Sequence, residues 1–137
     1  YKFEFGKGVE VVGGNDLTIL STGCVLSDVL DSAKTIEEQT GKSVRVINIH
    51  TLKPIDKDII IKASKETDLL VTVEDHSIIG GLGSAVSEVL TEHCPSRLVR
   101  IGLNDEFPES GPPKDLYEKY GLSSSQISKR VINELDK

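Results

Sequence analysis

The sequence predicts an α/β fold: a mostly parallel sheet with helices on both of its faces. Three observations lead there. Apolar, β-branched runs of about five residues alternate with helical stretches of ten or more, the pattern of strand–helix–strand units. The run Leu69-Leu70-Val71-Thr72-Val73 is nearly all apolar, as a strand covered on both faces should be. A chain of 137 residues has room for one domain and not comfortably for two. We therefore read residues 1–137 as a single domain, with 1–15 as an N-terminal edge-strand segment.

The elements follow in order. Val9, Val11 and Val12 suit a short edge strand, and Gly13-Gly14-Asn15-Asp16 is a turn. Leu17-Thr18-Ile19-Leu20-Ser21 is the first clear strand, broken by Ser21-Thr22-Gly23. Leu26, Val29, Leu30, Ala33 and Ile36 recur at three and four, one face of a helix that Gly41 terminates. Val44 to Ile49 is the second strand, and Lys53-Pro54 ends the extension after it. Asp56 caps a helix carrying Ile59, Ile60 and Ala63. After the strand Leu69–Val73, a loop from Glu74 to Gly81 leads to a helix with Leu82, Ala85, Val86, Val89 and Leu90 on one face, stopped by Pro95. Leu98 to Ile101 is the last strand, and Asn104 to Gly111 is a polar loop. Pro112-Pro113 starts a short helix through Leu116, Tyr117 and Tyr120, closed by Gly121. Ser123 and Gln126 have capping-box spacing ahead of a final stripe of Ile127, Val131, Ile132 and Leu135. Right-handed crossovers follow from the shared twist of the strands.

Composition narrows the function. Acidic residues number 22 and basic residues 16, a formal charge of −6 that argues against a general nucleic-acid binder. No apolar run is long enough for an ordinary transmembrane helix, and no leader pattern opens the chain, so a cytoplasmic location without membrane attachment is expected. Cys24 and Cys94 are too few for a disulfide framework and are expected as small buried hydrophobes in a reducing compartment. There is no Met, so the chain is expected as a processed product, a recombinant fragment or a piece of something longer.

Open α/β sheets bind ligands beyond the carboxyl ends of their strands. Three loops qualify: Ser21-Thr22-Gly23, His50 to Pro54, and Glu74 to Ser84. The last is the most informative. Gly80, Gly81 and Gly83 crowd the start of a helix, where amides without neighbouring Cβ atoms can approach an anion or another chain. His76 can donate, accept or change charge, and Glu74 and Asp75 beside it favour the charged imidazole if their side chains turn inward. Ser21, Thr22, Gly23, His76, Gly80, Gly81, Gly83 and Ser84 are the candidate anion or partner loop. Tight turning and helix–sheet packing explain the same glycines equally well.

Other chemistry finds less support. A dinucleotide fingerprint from Gly81 needs a small residue where Val86 stands, and Asp105 is a weak ribose partner. His50, His76 and His93 lack metal-ligand spacing, and no metal site is expected. Ser21, His76 and Asp75 could be drawn as a triad, but no nucleophile elbow accompanies them. Lys7 and Lys53 suit solvated surface charges better than substrate clamps.

The motifs then converge on one family. Leu70 to His76 with Gly80-Gly81-Leu82-Gly83-Ser84-Ala85-Val86 resembles the C-terminal domain of transketolase-like thiamine-diphosphate enzymes. Asp16 to Gly23 is similar to that domain's first parallel strand and turn, and Arg45 to Asp56 to its second strand and exit. Glu109-Ser110-Gly111 through Leu116 to Leu122 resembles the transketolase and deoxyxylulose-phosphate synthase version more than a ketoacid dehydrogenase beta chain. The resemblance implies a three-layer α/β/α fold whose five-stranded sheet has one antiparallel edge strand. It implies a place in a homodimeric or split-chain enzyme that moves two-carbon ketol units between sugar phosphates, using thiamine diphosphate and Mg. No Gly-Asp-Gly with a distant Asn is present, and the cofactor-activating glutamate belongs to another domain of such enzymes. No catalytic or cofactor-binding residue is therefore assigned, and the expected partners are the cofactor-binding domains or subunit of the same enzyme. The alternative expectation is a regulatory module in which His76 and the amides of Gly81 to Ser84 hold a phosphate or nucleotide.

Overall fold

The computed structural model describes residues 4–103 and 117–137. Within them the chain forms β1 (Val9–Val12), β2 (Leu17–Thr22), α1 (Leu26–Thr40), β3 (Val44–Asn48), α2 (Lys57–Glu66), β4 (Leu69–Ser77), α3 (Leu82–His93), β5 (Leu98–Leu103) and α4 (Ser124–Leu135). The strands make one five-stranded sheet in the order β1-β3-β2-β4-β5. Strands β2 to β5 are parallel, and β1 runs antiparallel on β3, as the resemblance implied.

Side-chain alternation along the strands sorts the core into two layers. Leu17 and Ile19 pack with Val29 and Ile36 of α1 and Ile127 and Val131 of α4. Leu20 and Leu70 pack on the other face with Ile60 of α2 and Val86 and Leu90 of α3. Each such buried aliphatic side chain contributes about 1.5–3 kcal/mol, so the two apolar layers together decide the fold.

Two helix ends read from the sequence follow the local chemistry and a third does not. Gly41 takes φ 75° and its N–H donates to Glu37 O, closing α1 as a left-handed cap. Asp56 caps α2, its carboxylate accepting from Ile59 N at 3.2 Å. Ser123, by contrast, makes no capping bond to α4, and the Gln126 amide turns away to donate to Glu118 Oε1 at 2.9 Å. The capping-box spacing there is not used, and the glutamine amide bonds to Glu118 instead.

Two further expectations are corrected. Glu74 to Ser77 is strand rather than loop: Glu74 pairs with Thr22 of β2 and Ser77 with Leu103 of β5. Cys24 is exposed and Cys94 half-buried, its Sγ 2.7 Å from Ser64 Oγ. Cys24 precedes the apolar stripe of α1 on a short 3₁₀ turn, which carries it outside the packed face. The expected polar loop at 104–111 and the start of the short helix after it lie outside the described residues. Residues 117–119 are helical, and Gly121 takes φ 79°. No described helix is long and apolar enough to cross a membrane.

Candidate functional site

The chain leaves β2 to build β3 on one side and then returns past β2 to build β4 on the other. That reversal opens a crevice beyond the carboxyl ends of β2 and β4. Its walls are the loop after β2 and the segment from Glu74 to Ser84, two of the three loops expected.

Glu74 organises this end of the sheet. It is fully buried, at the last position where β4 pairs with β2. Its carboxylate turns to the start of α3, Oε1 accepting from Leu82 N at 2.8 Å and Oε2 from Gly83 N at 2.9 Å. The positive end of the helix dipole and two otherwise orphaned amides meet one internal anion. Gly81 makes room for it, and Gly83 for the Arg100 stem. A Cβ on Gly81 would overlap Glu74 Oε1, and one on Gly83 would lie 2.9 Å from Arg100 Cδ.

Beyond Glu74, β4 bulges. Between the pairs Val73↔Ile101 and Ser77↔Leu103, β4 spends two more residues than β5. A Cβ on Gly102 would lie 2.9 Å from His76 O, so a glycine is needed where the bulge folds over β5. The bulge re-aims Asp75 and His76. Asp75 turns back, with Oδ2 accepting from the Tyr117 hydroxyl at 3.2 Å. The Tyr117 pKa is pushed up to about 12 by burial first, and then by the negative charge of Asp75 and the hydrogen bond to it. His76 turns outward, its side chain 70% exposed and its Nε2 3.4 Å from Asp75 Oδ1.

The remaining loop polar groups satisfy one another. Ser84 Oγ donates to Ile78 O at 3.1 Å and accepts from Gly80 N at 2.9 Å. Gly80 carries φ 80°, and a Cβ there would meet nothing within 4 Å, so it serves the turn alone. On the opposite wall Gly23 also has positive φ, and a Cβ there would come within 2.7 Å of Asp75 Oδ1. Thr22 is half-buried beside it and Ser21 fully buried.

The candidate residues thus share one end of the sheet, but not as an open anion cradle. Leu82 N and Gly83 N, the amides expected to receive a phosphate, already hold Glu74. Ser21 Oγ is buried without a hydrogen-bond partner while the His76 ring is exposed, so no Ser–His–acid relay is formed. A diphosphate held through a metal does not fit the described residues either. No three His, Cys, Asp or Glu among them are grouped to hold an ion, and an added anion at α3 would meet the Glu74 carboxylate. Lys7 and Lys53 are exposed, as expected.

Sequence reasoning missed two residues of this region. In the sequence Glu74 is only a neighbour of His76; its spacing of eight and nine residues from the amides it holds follows no local period. Asp56, the helix cap expected from the sequence, is also a tether. Its Oδ2 accepts from Gly8 N at 2.9 Å and holds the N-terminal arm, with its exposed Phe5, over the same end of the sheet.

Comparison with known proteins adds the following. Residues 6–127 match the family described as "Transketolase, C-terminal domain". A protein of Methanocaldococcus jannaschii named as a transketolase C-terminal section is 45% identical over 136 residues, covering 98% of this chain and 42% of that protein. A 6-deoxy-6-sulfo-D-fructose transketolase subunit of Clostridium sp. is 40% identical over 126 residues, covering 92% and 39%. A 1-deoxy-D-xylulose-5-phosphate synthase of Caldanaerobacter subterraneus is 35% identical over 131 residues, covering 95% and 21%. Among solved structures, one titled "Split gene transketolase, inactive beta4 tetramer" superposes with a TM-score of 0.90 at 41% identity, over 97% of this chain and 43% of that one. The chain therefore spans less than half the length of these relatives.

Proposed function

This chain belongs to the transketolase C-terminal domain family, and we propose that it works as the C-terminal part of a thiamine-diphosphate-dependent transketolase moving two-carbon ketol units between sugar phosphates. Its own role in that enzyme is assembly. Neighbouring polypeptide supplies the coenzyme, the divalent metal and the reacting groups, and this chain packs against it. The parent enzyme pairs as a homodimer.

The observation that carries this reading is the Glu74 cap. A domain that fills the amides of its best anion site with an internal carboxylate is preorganised to pack, not to bind a diphosphate. The side chains left outward at the same end, His76, Ile79 and Phe5, suit a protein partner. Such exposed apolar side chains beside a rigid loop are common at interfaces.

The test is an assay of the purified chain with thiamine diphosphate and magnesium, alone and after mixing with the cofactor-binding polypeptide. The chain alone should be inactive and the mixture active and dimeric. Ketol transfer by the chain alone, or a mixture that stays inactive, refutes the reading. A 1-deoxy-D-xylulose-5-phosphate synthase is the alternative parent, supported by the 35% identical relative. The product formed by the mixture decides between them.

A further inference from the structure

The outer edge of β5 carries a feature that the assembly role does not use. β5 ends the sheet order, so one side of it has no partner strand among the described residues. Arg97 O accepts from Leu70 N, which turns the main-chain groups of the odd-numbered residues toward β4. By strand alternation, the N–H and C=O groups of Leu98, Arg100 and Gly102 face outward.

Guanidinium groups stand on both sides of that open edge. On the α3 face, Arg100 lays its stem over Gly83 and donates to Ile78 O at 3.3 Å. On the α4 face, Arg97 and Arg130 flank Glu134, with Arg130 Nε 3.5 Å from its carboxylate. Two adjoining hollows of about 370 and 220 Å³ run along the strand between these side chains, with Gln126 at one end. Among the described residues, Arg97 and Arg130 share the carboxylate of Glu134 with Lys137, 3.2 Å away, and Arg100 adds a third guanidinium on the other face of the edge. This excess of positive charge sits on a chain whose formal charge is −6.

We propose that the open edge of β5 receives an extended acidic peptide segment of another polypeptide as an added strand. Main-chain bonds to Leu98, Arg100 and Gly102 supply the register. Successive side chains of an added strand point to opposite faces of the sheet, so carboxylates on both faces meet Arg100 on one side and Arg97 and Arg130 on the other. A second copy of β5 is disfavoured as the occupant, because its own arginines would face these.

The test uses the 137-residue chain and a fluorescein-labelled octapeptide with four consecutive glutamates flanked by valine and threonine. Binding should be saturable, weakened by salt, and accompanied by slowed amide exchange at Leu98, Arg100 and Gly102. Arg100→Gln with Arg130→Gln should weaken it about ten-fold or more, with circular dichroism as the check on folding. If that variant does not fold, amide exchange in the unaltered chain still decides. Two versions of the peptide, N-methylated at odd or at even positions, should differ, since only one set of amides faces β5. Equal binding by both would reduce the contact to charge alone and overturn the proposal. So would no binding at millimolar peptide, or displacement by a single-stranded RNA octamer at lower concentration than by unlabelled peptide.

Discussion

The carboxylate of Glu74 occupies the space that a side chain on Gly81 would need. One oxygen holds Leu82 N and the other Gly83 N, inside a protein environment without access to water. Gly81→Ala should displace the carboxylate, leave it and the two amides without their partners, and destabilise the chain by about 2–3 kcal/mol in urea unfolding. Glu74→Gln should lose a similar amount. The double substitution should lose much less than the sum, because both changes break the same cap. Additive losses would show that the two residues act separately.

Asp56 joins the start of α2 to the N-terminal arm through two different oxygens. Asp56→Ala should reduce stability by about 1–2 kcal/mol, at the upper end of a lost helix cap. It should also speed proteolysis near Gly8 at temperatures where the rest of the chain remains folded. Asp56→Asn keeps the cap and should lose less.

The bond from the Tyr117 hydroxyl to Asp75 fixes a pH dependence. The tyrosine pKa rises from its ordinary value of 10.0 to about 12 in the fold. A raised pKa means that the folded state holds the proton more tightly than the unfolded chain. The stabilisation is therefore complete below pH 10.0 and is lost as the pH climbs through about 12. Tyrosinate absorbance should show a late ionisation step, and Tyr117→Phe should remove it.

Arg45 is a buried cation at the second position of β3, at the end of the sheet away from the crevice. Its Nε donates to Gly14 O at 3.0 Å and its NH1 to Glu66 Oε1 at 2.9 Å, with Glu10 3.3 Å away. Both carboxylates are half exposed, so water screens them. Arg45→Ala should cost about 1–3 kcal/mol, chiefly through lost packing of the stem and the unpaired Gly14 carbonyl. Arg45→Met should recover much of that loss, whereas Glu10→Gln should change thermal stability by less than about 1 kcal/mol.

Much of the fold was legible because its signals are local. The spacing of Leu26, Val29, Ala33 and Ile36 marks α1, and Gly41 ends it in the conformation a glycine permits. The position of Asp56 one residue before α2 is a cap by itself. The site was less legible. The pattern of Gly80, Gly81 and Gly83 located the crevice but left its occupant open, since packing and anion binding both require glycines. The end of β4 was misread because Glu74, Asp75 and His76 are polar, and polar residues in sequence look like loop. Their strand pairing is set by β2 and β5, which lie far away in the chain.

The sequence by itself determined the order of strands and helices, their two-sided burial and the family to which they belong, because apolar period and glycine placement act over a few residues. Only the tertiary structure decided that Glu74 fills the start of α3, that a bulge turns Asp75 inward and His76 outward, and that β5 faces out between arginines. Those are contacts between distant segments, and their energy depends on distance and burial, which no local spacing encodes.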